Sequence, residues 1–287
     1  MDLCNIDQIK ALLDRHGFRF SKSMGQNFLI ESWVPRDIAN SCGAEAGVGV
    51  LEIGPGIGPL TVQLAQRADR VVAVELDKDL LPILAETLSG CPNVTVIPGD
   101  IMKLDLPALV AEHFCGLTPI VCANLPYNIT TPVLRLLLES RLFTLITVMI
   151  QKESAQRICA LPGDKDYVEF SLFCRYMAEP EILFDVPRNC FLPAPKVTST
   201  VIRFTSKPQP DQVKDEALFL RVVRSAFALR RKTLLNALSS AFPLSKEELA
   251  SCMAAAGLPA DVRGERVSIE AFAALVNELQ KILTYPS

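Results

Sequence analysis

A chain of 287 residues, 49% of them hydrophobic, has ample apolar surface for one large domain with an appendage or for two domains, and reads as an ordinary soluble globular protein. A net charge of −3 argues against a uniformly basic, polyanion-binding surface, although residues 207 to 287 hold 11 Lys and Arg against 9 Asp and Glu, which gathers positive charge toward the C-terminal end. Met1-Asp2-Leu3-Cys4-Asn5 lacks a leader's basic and apolar regions and no apolar run has bilayer-spanning length, so a cytoplasmic location without membrane contact is expected. Nine scattered cysteines form no Cys-x-x-Cys pair and have only His16 and His113 as potential co-ligands; they read as reduced thiols, with no metal expected.

In chain order, an N-terminal arm (1 to 32) precedes short β-branched runs at Val48 to Ile53, Arg70 to Glu75, Val94 to Pro98, Pro119 to Ala123 and Thr144 to Ile150, the pattern of strands buried on both faces. Pro59 to Arg67, Lys78 to Leu88 and Pro132 to Glu139 carry the helical period between them, so the order is βαβα and the sheet is open and mostly parallel. Phe170 to Met177 and Val197 to Phe204 read as a closing strand pair, which brings the sheet to about seven strands. After the polar connector Ser206-Lys207-Pro208-Gln209-Pro210, Asp215 to Leu238, Ser245 to Ala256 and Ser268 to Leu283 read as helices, with Ser245 and Ser268 as N-caps. The expected division is therefore a sheet domain over 1 to 206 and a small helical domain over 207 to 287.

Glu52-Ile53-Gly54-Pro55-Gly56-Ile57-Gly58 ends a strand and opens a helix, where Gly54 and Gly56 let a ligand lie against bare backbone. Glu75 closes the next strand 21 residues after Gly54, placed to accept the hydroxyls of an adenosine ribose. Asp100 closes the third strand, within reach of an adenine amine. Taken alone, such glycines also make plain tight turns and such acids also cap helices. The Gly-x-Gly-x-Gly spacing completes no diphosphate cradle, which favours S-adenosylmethionine over a nicotinamide cofactor.

Asn124-Leu125-Pro126-Tyr127 follows the fourth strand, at the sheet end where open α/β folds bind ligands. An adenine N6 is a poor nucleophile because its lone pair is delocalised into the ring. Acceptance of both its N–H bonds, by the Asn124 side-chain oxygen and the Leu125 carbonyl, draws it toward tetrahedral character, and Tyr127 supplies a face for stacking. The bland alternative is a β-turn in which Asn and Pro serve backbone geometry alone.

These motifs, together with Lys22-Ser23-Met24-Gly25-Gln26-Asn27-Phe28-Leu29, Gln151-Lys152-Glu153, Phe191-Leu192-Pro193-Ala194-Pro195-Lys196-Val197 and Arg230-Arg231-Lys232-Thr233-Leu234-Leu235-Asn236-Ala237-Leu238, run nearly end to end in an ordered set. The chain resembles the ribosomal RNA adenine N6,N6-dimethyltransferases, the KsgA-type enzymes. The resemblance implies a class I S-adenosylmethionine-dependent methyltransferase fold, Rossmann-like with a seven-stranded, mostly parallel sheet, and a small C-terminal helical domain. It also implies that Asn27 and Leu29 close over the cofactor beside Gly54, Glu75, Asp100 and Asn124, and that Phe191 sandwiches an extruded adenine against Tyr127. The implied reaction is dimethylation of two adjacent adenosines near the 3′ end of small-subunit rRNA in a pre-30S particle. Departures from the family pattern are Tyr167-Val168-Glu169-Phe170, where Tyr-Gly-x-Leu is usual, Val186-Pro187-Arg188, where Val-Pro-Pro is usual, and the acidic net charge.

If residues 215 to 238 form one helix, Arg221, Arg224, Arg231 and Lys232 share an arc of about 100°, opposite Leu218, Phe219, Val222, Val223, Ala226, Phe227 and Leu229, while Arg230 points into the apolar side. Such a stripe suits RNA phosphates, and equally a solvated charged face. The alternatives are a resistance-type large-subunit rRNA adenine methylase, DNA-adenine and protein-glutamine methylases, a nicotinamide-dependent oxidoreductase, and a non-catalytic ribosome assembly factor. The Arg-Arg-Lys-Thr segment favours the small-subunit enzyme. Without a coiled-coil seam or exposed apolar stripe, a monomer is expected.

Overall fold

A computed structural model of the chain describes residues 1–20, 26–208, 213–229 and 231–284. Lys22 to Gly25 of the first motif, Gln209 and Pro210 of the connector, and Arg230 lie outside them. In chain order the elements are α1 (Ile6–Arg15), β1 (Phe28–Leu29), α2 (Trp33–Ser41), β2 (Val48–Ile53), α3 (Pro59–Ala65), β3 (Arg70–Glu75), α4 (Leu81–Thr87), β4 (Val94–Pro98), α5 (Leu106–His113), β5 (Thr118–Asn124), α6 (Thr130–Ser140) and β6 (Leu145–Gln151). They continue with α7 (Lys152–Cys159), α8 (Glu169–Met177), β7 (Ala178–Val186), β8 (Phe191–Leu192), β9 (Ser199–Ser206), α9 (Glu216–Ala228), α10 (Leu234–Ser239), α11 (Lys246–Ala255) and α12 (Ile269–Thr284).

The first compact unit comprises Met1–Ala155 and Ala178–Ser206. Its seven-stranded sheet has the order β4-β3-β2-β5-β6-β9-β7. The five strands from β4 to β6 are parallel, and β9 and β7 complete the sheet antiparallel. Every residue of β2 is buried, which explains why its run is apolar apart from Glu52. The chain winds from β2 outward through β3 to β4, then returns to the other side of β2 as β5. The carboxyl ends of β2 and β5 therefore flank the switch point where such sheets bind ligands.

One expectation for this sheet fails. Phe170 to Met177 belongs to helix α8, and the strand is the next segment, β7. Ala178 and Pro180 are buried while Glu179 and Glu181 are exposed, the two-residue alternation of an edge strand, and an edge tolerates Pro180. In α8, Ser171, Leu172, Phe173, Cys174 and Tyr176 are buried, which gives the helix a broad packed face.

The second unit comprises Gln156–Met177 and Lys207–Ser287, so the expected single cut after residue 206 is amended: the segment containing α8 groups with the C-terminal helices. The reason is packing. Tyr167, Leu172 and Tyr176 share one buried cluster with Phe219, Val222, Leu238, Phe272 and Leu275, and the Tyr176 and Phe219 rings lie 4.6 Å apart. Ser245 and Glu248 form a complete capping box on α11, and Ser268 accepts from Ala271 N–H at 3.3 Å at the start of α12, as their sequence positions suggest.

The single helix expected over 215 to 238 is two. Helix α9 ends at Ala228, and Thr233, accepting from Asn236 N–H, caps a new start at α10. Arg231 and Lys232 thus sit in the turn between the helices rather than on a stripe with Arg221 and Arg224, and Leu229 is exposed instead of packed.

Candidate active site

The turn after β2 holds Gly54, Gly56 and Gly58 at φ of 69°, 62° and 91°. Gly58 opens α3 at a φ that L side chains rarely adopt, and a Cβ there would stand 3.0 Å from the end of the Leu88 side chain, a close contact that adds to the conformational strain. The turn is tied to the neighbouring strand. Gly54 N–H donates to the Val74 carbonyl at 2.9 Å, and Gly56 N–H donates to Glu75 Oε2 at 3.3 Å. Glu75 Oε1 accepts from Asp77 N–H at 2.8 Å, which leaves lone pairs on both oxygens facing the same cleft.

A cavity of about 240 Å³ opens there. Its wall includes every residue that the sequence nominated for cofactor or substrate: Asn27, Leu29, Gly54, Gly56, Glu75, Asp100, Asn124, Leu125, Tyr127 and Phe191. The two-stranded ladder of β1 and β8 brings the last of these in, pairing Leu29 with Phe191 and Phe28 with Leu192. Phe191 is itself buried and packs among Leu29, Met149 and Val201, so the ring is both cavity wall and core. Asp100 caps a following 3-10 turn through Met102 N–H at 3.0 Å, a structural role that it fills alongside its place in the wall.

Sequence reasoning left out Glu52, Asp77 and Ser199. Glu52 is fully buried at the base of the cavity, and burial pushes its carboxyl up to about 8 from 4.5. The neighbouring Thr61 hydroxyl opposes that rise, and the charges of Glu75 and Cys42 add to it; Oε2 completes no hydrogen bond among the described residues. A carboxylate inside an otherwise apolar buried strand was the available signal. Asp77 holds the Gln26 amide at 2.5 Å. Ser199 shares a hydrogen bond of 2.7 Å with the Tyr127 hydroxyl, and no local pattern announces it.

The donor set fits S-adenosylmethionine. Among the described residues the lining carries Glu52, Glu75, Asp77 and Asp100 and no Lys, Arg or His. With Glu52 held neutral by burial, the remaining carboxyl groups of the wall still suit a sulfonium and an ammonium group and repel a diphosphate. Among the described residues no cluster of three or more His, Cys, Asp or Glu is placed to hold a metal ion. No described helix is long and apolar enough to cross a membrane.

Residues 17–281 match the family described as ribosomal RNA adenine dimethylase. The chain belongs to that family. It is similar to the ribosomal RNA small subunit methyltransferase A of Geobacillus thermodenitrificans, at 45% identity over 98% of each chain, and to that of Alkaliphilus oremlandii, at 46% over 96% of each. Among solved structures, a dimethyladenosine transferase from Plasmodium falciparum superposes with a TM-score of 0.75 at 24% identity, covering 88% of this chain and 97% of its own, a likeness of fold. The 23S rRNA methyltransferase ErmE superposes with a TM-score of 0.67 at 26% identity, covering 88% of this chain and 100% of its own. The chain is thus an S-adenosylmethionine-dependent rRNA adenine dimethyltransferase.

All four residues nominated for RNA contact are exposed on the second unit, between positions 221 and 232, and two of them are also engaged within it. Arg221 donates to the Ala241 carbonyl at 3.1 Å and lies 4.5 Å over the Phe242 ring, so part of its guanidinium is already used in packing. Arg224 is exposed on the same helix, folded back on the Leu220 carbonyl at 3.2 Å, and Arg231 and Lys232 are exposed in the turn. The family departure at Tyr167 to Phe170 falls here too. Tyr167 is buried against Phe227, and Val168 N–H is held by the Ser171 hydroxyl at 3.1 Å.

Proposed function

We propose that the chain dimethylates N6 of two adjacent adenosines near the 3′ end of small-subunit rRNA, on a pre-30S particle in the cytoplasm, and acts as a monomer. The observation that carries the reading is the meeting of the Asn124-Leu125-Pro126-Tyr127 turn and the acid-lined cofactor cavity in one cleft. The small-subunit names of its relatives point the same way.

Gly54, Gly56, Glu75 and Asp100 hold the nucleoside part of S-adenosylmethionine, with Asn27 and Leu29 closing over it. When bound, the cofactor supplies an electrophilic sulfonium methyl. Asn124 through its side-chain oxygen and Leu125 through its carbonyl accept the two N–H bonds of the target amine, localising its lone pair for in-line attack. Among the described residues no partner holds the Asn124 side chain, consistent with an amide kept for a ligand. Tyr127 and Phe191 offset the few kcal/mol of unstacking that extrusion of a base costs. Arg221, Arg224, Arg231 and Lys232 meet phosphates. No metal takes part.

Labelled S-adenosylmethionine offered with unmethylated 30S particles, 50S particles, naked rRNA and duplex DNA tests the reading. N6,N6-dimethyladenosine confined to small-subunit RNA supports it. Label in 50S particles replaces it with a large-subunit methylase, and no label in any substrate replaces it with a binding factor.

A further inference from the structure

We propose that Ser199 is a positioning residue for methyl transfer, holding the Tyr127 ring at the angle from which it stacks the target adenine. The inference rests on the stacking role assigned to Tyr127 above.

Ser199 opens β9 and is wholly buried, paired by its backbone with Gln151 of β6 on one side and Val186 of β7 on the other. It is thus buried and held by a neighbouring strand on each side. A hydroxyl at such a place is costly unless it is bonded, and an apolar residue would fill the strand as well. Its partner is the Tyr127 hydroxyl, 2.7 Å away and 72 residues earlier in the chain. Tyr127 is half-buried as a residue, but its hydroxyl end meets a wholly buried side chain, and burial holds the phenol above its ordinary pKa. The bond therefore satisfies two hydroxyls at once, and it also gives the ring a direction.

That direction matters because Tyr127 stands in a short 3-10 turn three residues after Asn124. The turn fixes one end of the ring through Cα, and Ser199 fixes the other through the hydroxyl. Two fixed ends define the line of the ring against which an extruded base lies, while Asn124 sets where its amine lies. A ring held at one end alone swings, and misplacement of a reacting group slows transfer without weakening the cofactor site.

The test is a double-mutant cycle in single-turnover transfer to unmethylated small-subunit particles, with Ser199→Ala, Tyr127→Phe and the pair, and S-adenosylmethionine affinity measured on each. Each single variant is expected to slow transfer about tenfold, and the pair to be no slower than Tyr127→Phe alone, with cofactor affinity unchanged. Ser199→Ala that slows transfer equally with and without the Tyr127 hydroxyl overturns the proposal, because Ser199 then acts by another route. Wild-type transfer by Tyr127→Phe overturns it as well, even if Ser199→Ala fails to fold. Tyr127→Ala separates the underlying reading: near-normal transfer there removes the stacking role itself, whereas loss by Tyr127→Ala with wild-type transfer by Tyr127→Phe keeps stacking and rejects the anchor.

Discussion

Gly56 N–H donates to Glu75 Oε2 at 3.3 Å, so the glycine turn after β2 and the acid that ends β3 are one construction. The carboxylate shapes the turn from inside while its remaining lone pairs face the cavity.

Glu75→Ala therefore removes a ligand acceptor and a turn support together. Charge-assisted hydrogen bonds of this type contribute enough that S-adenosylmethionine affinity is expected to fall about ten- to a hundredfold. Isothermal titration checks this, and undiminished affinity would remove Glu75 from the cofactor site.

Glu52 gives a pH signature. Burial raises its carboxyl to about 8, so between the ordinary carboxyl range and that pH the folded chain holds a proton that the unfolded chain has released. Stability is lost as pH rises through this window, and Glu75, shifted in the same direction by burial, adds to the loss. Glu52→Gln is expected to flatten the fall, becoming the more stable protein as pH increases from about 5 toward 8. Urea unfolding of both proteins across that range reads the difference, and parallel curves would contradict a protonated Glu52.

On the second unit, Arg224→Glu with Arg231→Glu is expected to weaken binding to small-subunit particles, more so at low salt, with S-adenosylmethionine affinity intact. Each lost phosphate contact lowers the salt slope by about one. Arg221→Glu should in addition lower thermal stability, since it abandons the Phe242 face and the Ala241 carbonyl. Particle binding that ignores all three charges would leave them as a solvated face.

The inner parallel strands were legible because burial on both faces writes a nearly continuous apolar run, as in Val48 to Ile53, where Glu52 alone interrupts it. The edge strand β7 was hidden by its exposed Glu179 and Glu181, and the short aromatic run before it passed for a strand although its burial is helical. No Gly or Pro marks the break between α9 and α10; Thr233 does so by capping, a signal easily lost inside an amphipathic stretch. The split between units escaped notice because the packing of Tyr167 and Tyr176 on Phe219 is long-range. The nominated residues that line the cavity were readable because turns and strand ends carry local signals. Ser199 was not, because its bond to Tyr127 exists only once the order β5-β6-β9 has brought distant segments together.

Asn124 is the residue on which methyl transfer depends most directly, and the decisive measurement compares equilibrium S-adenosylmethionine binding with single-turnover methyl transfer on Asn124→Ala. The expected result is cofactor affinity largely kept and transfer to the small-subunit particle slowed by at least about a hundredfold, the scale of losing a donor–acceptor contact made at the reacting group. Near-normal transfer by that variant would contradict the mechanism outright.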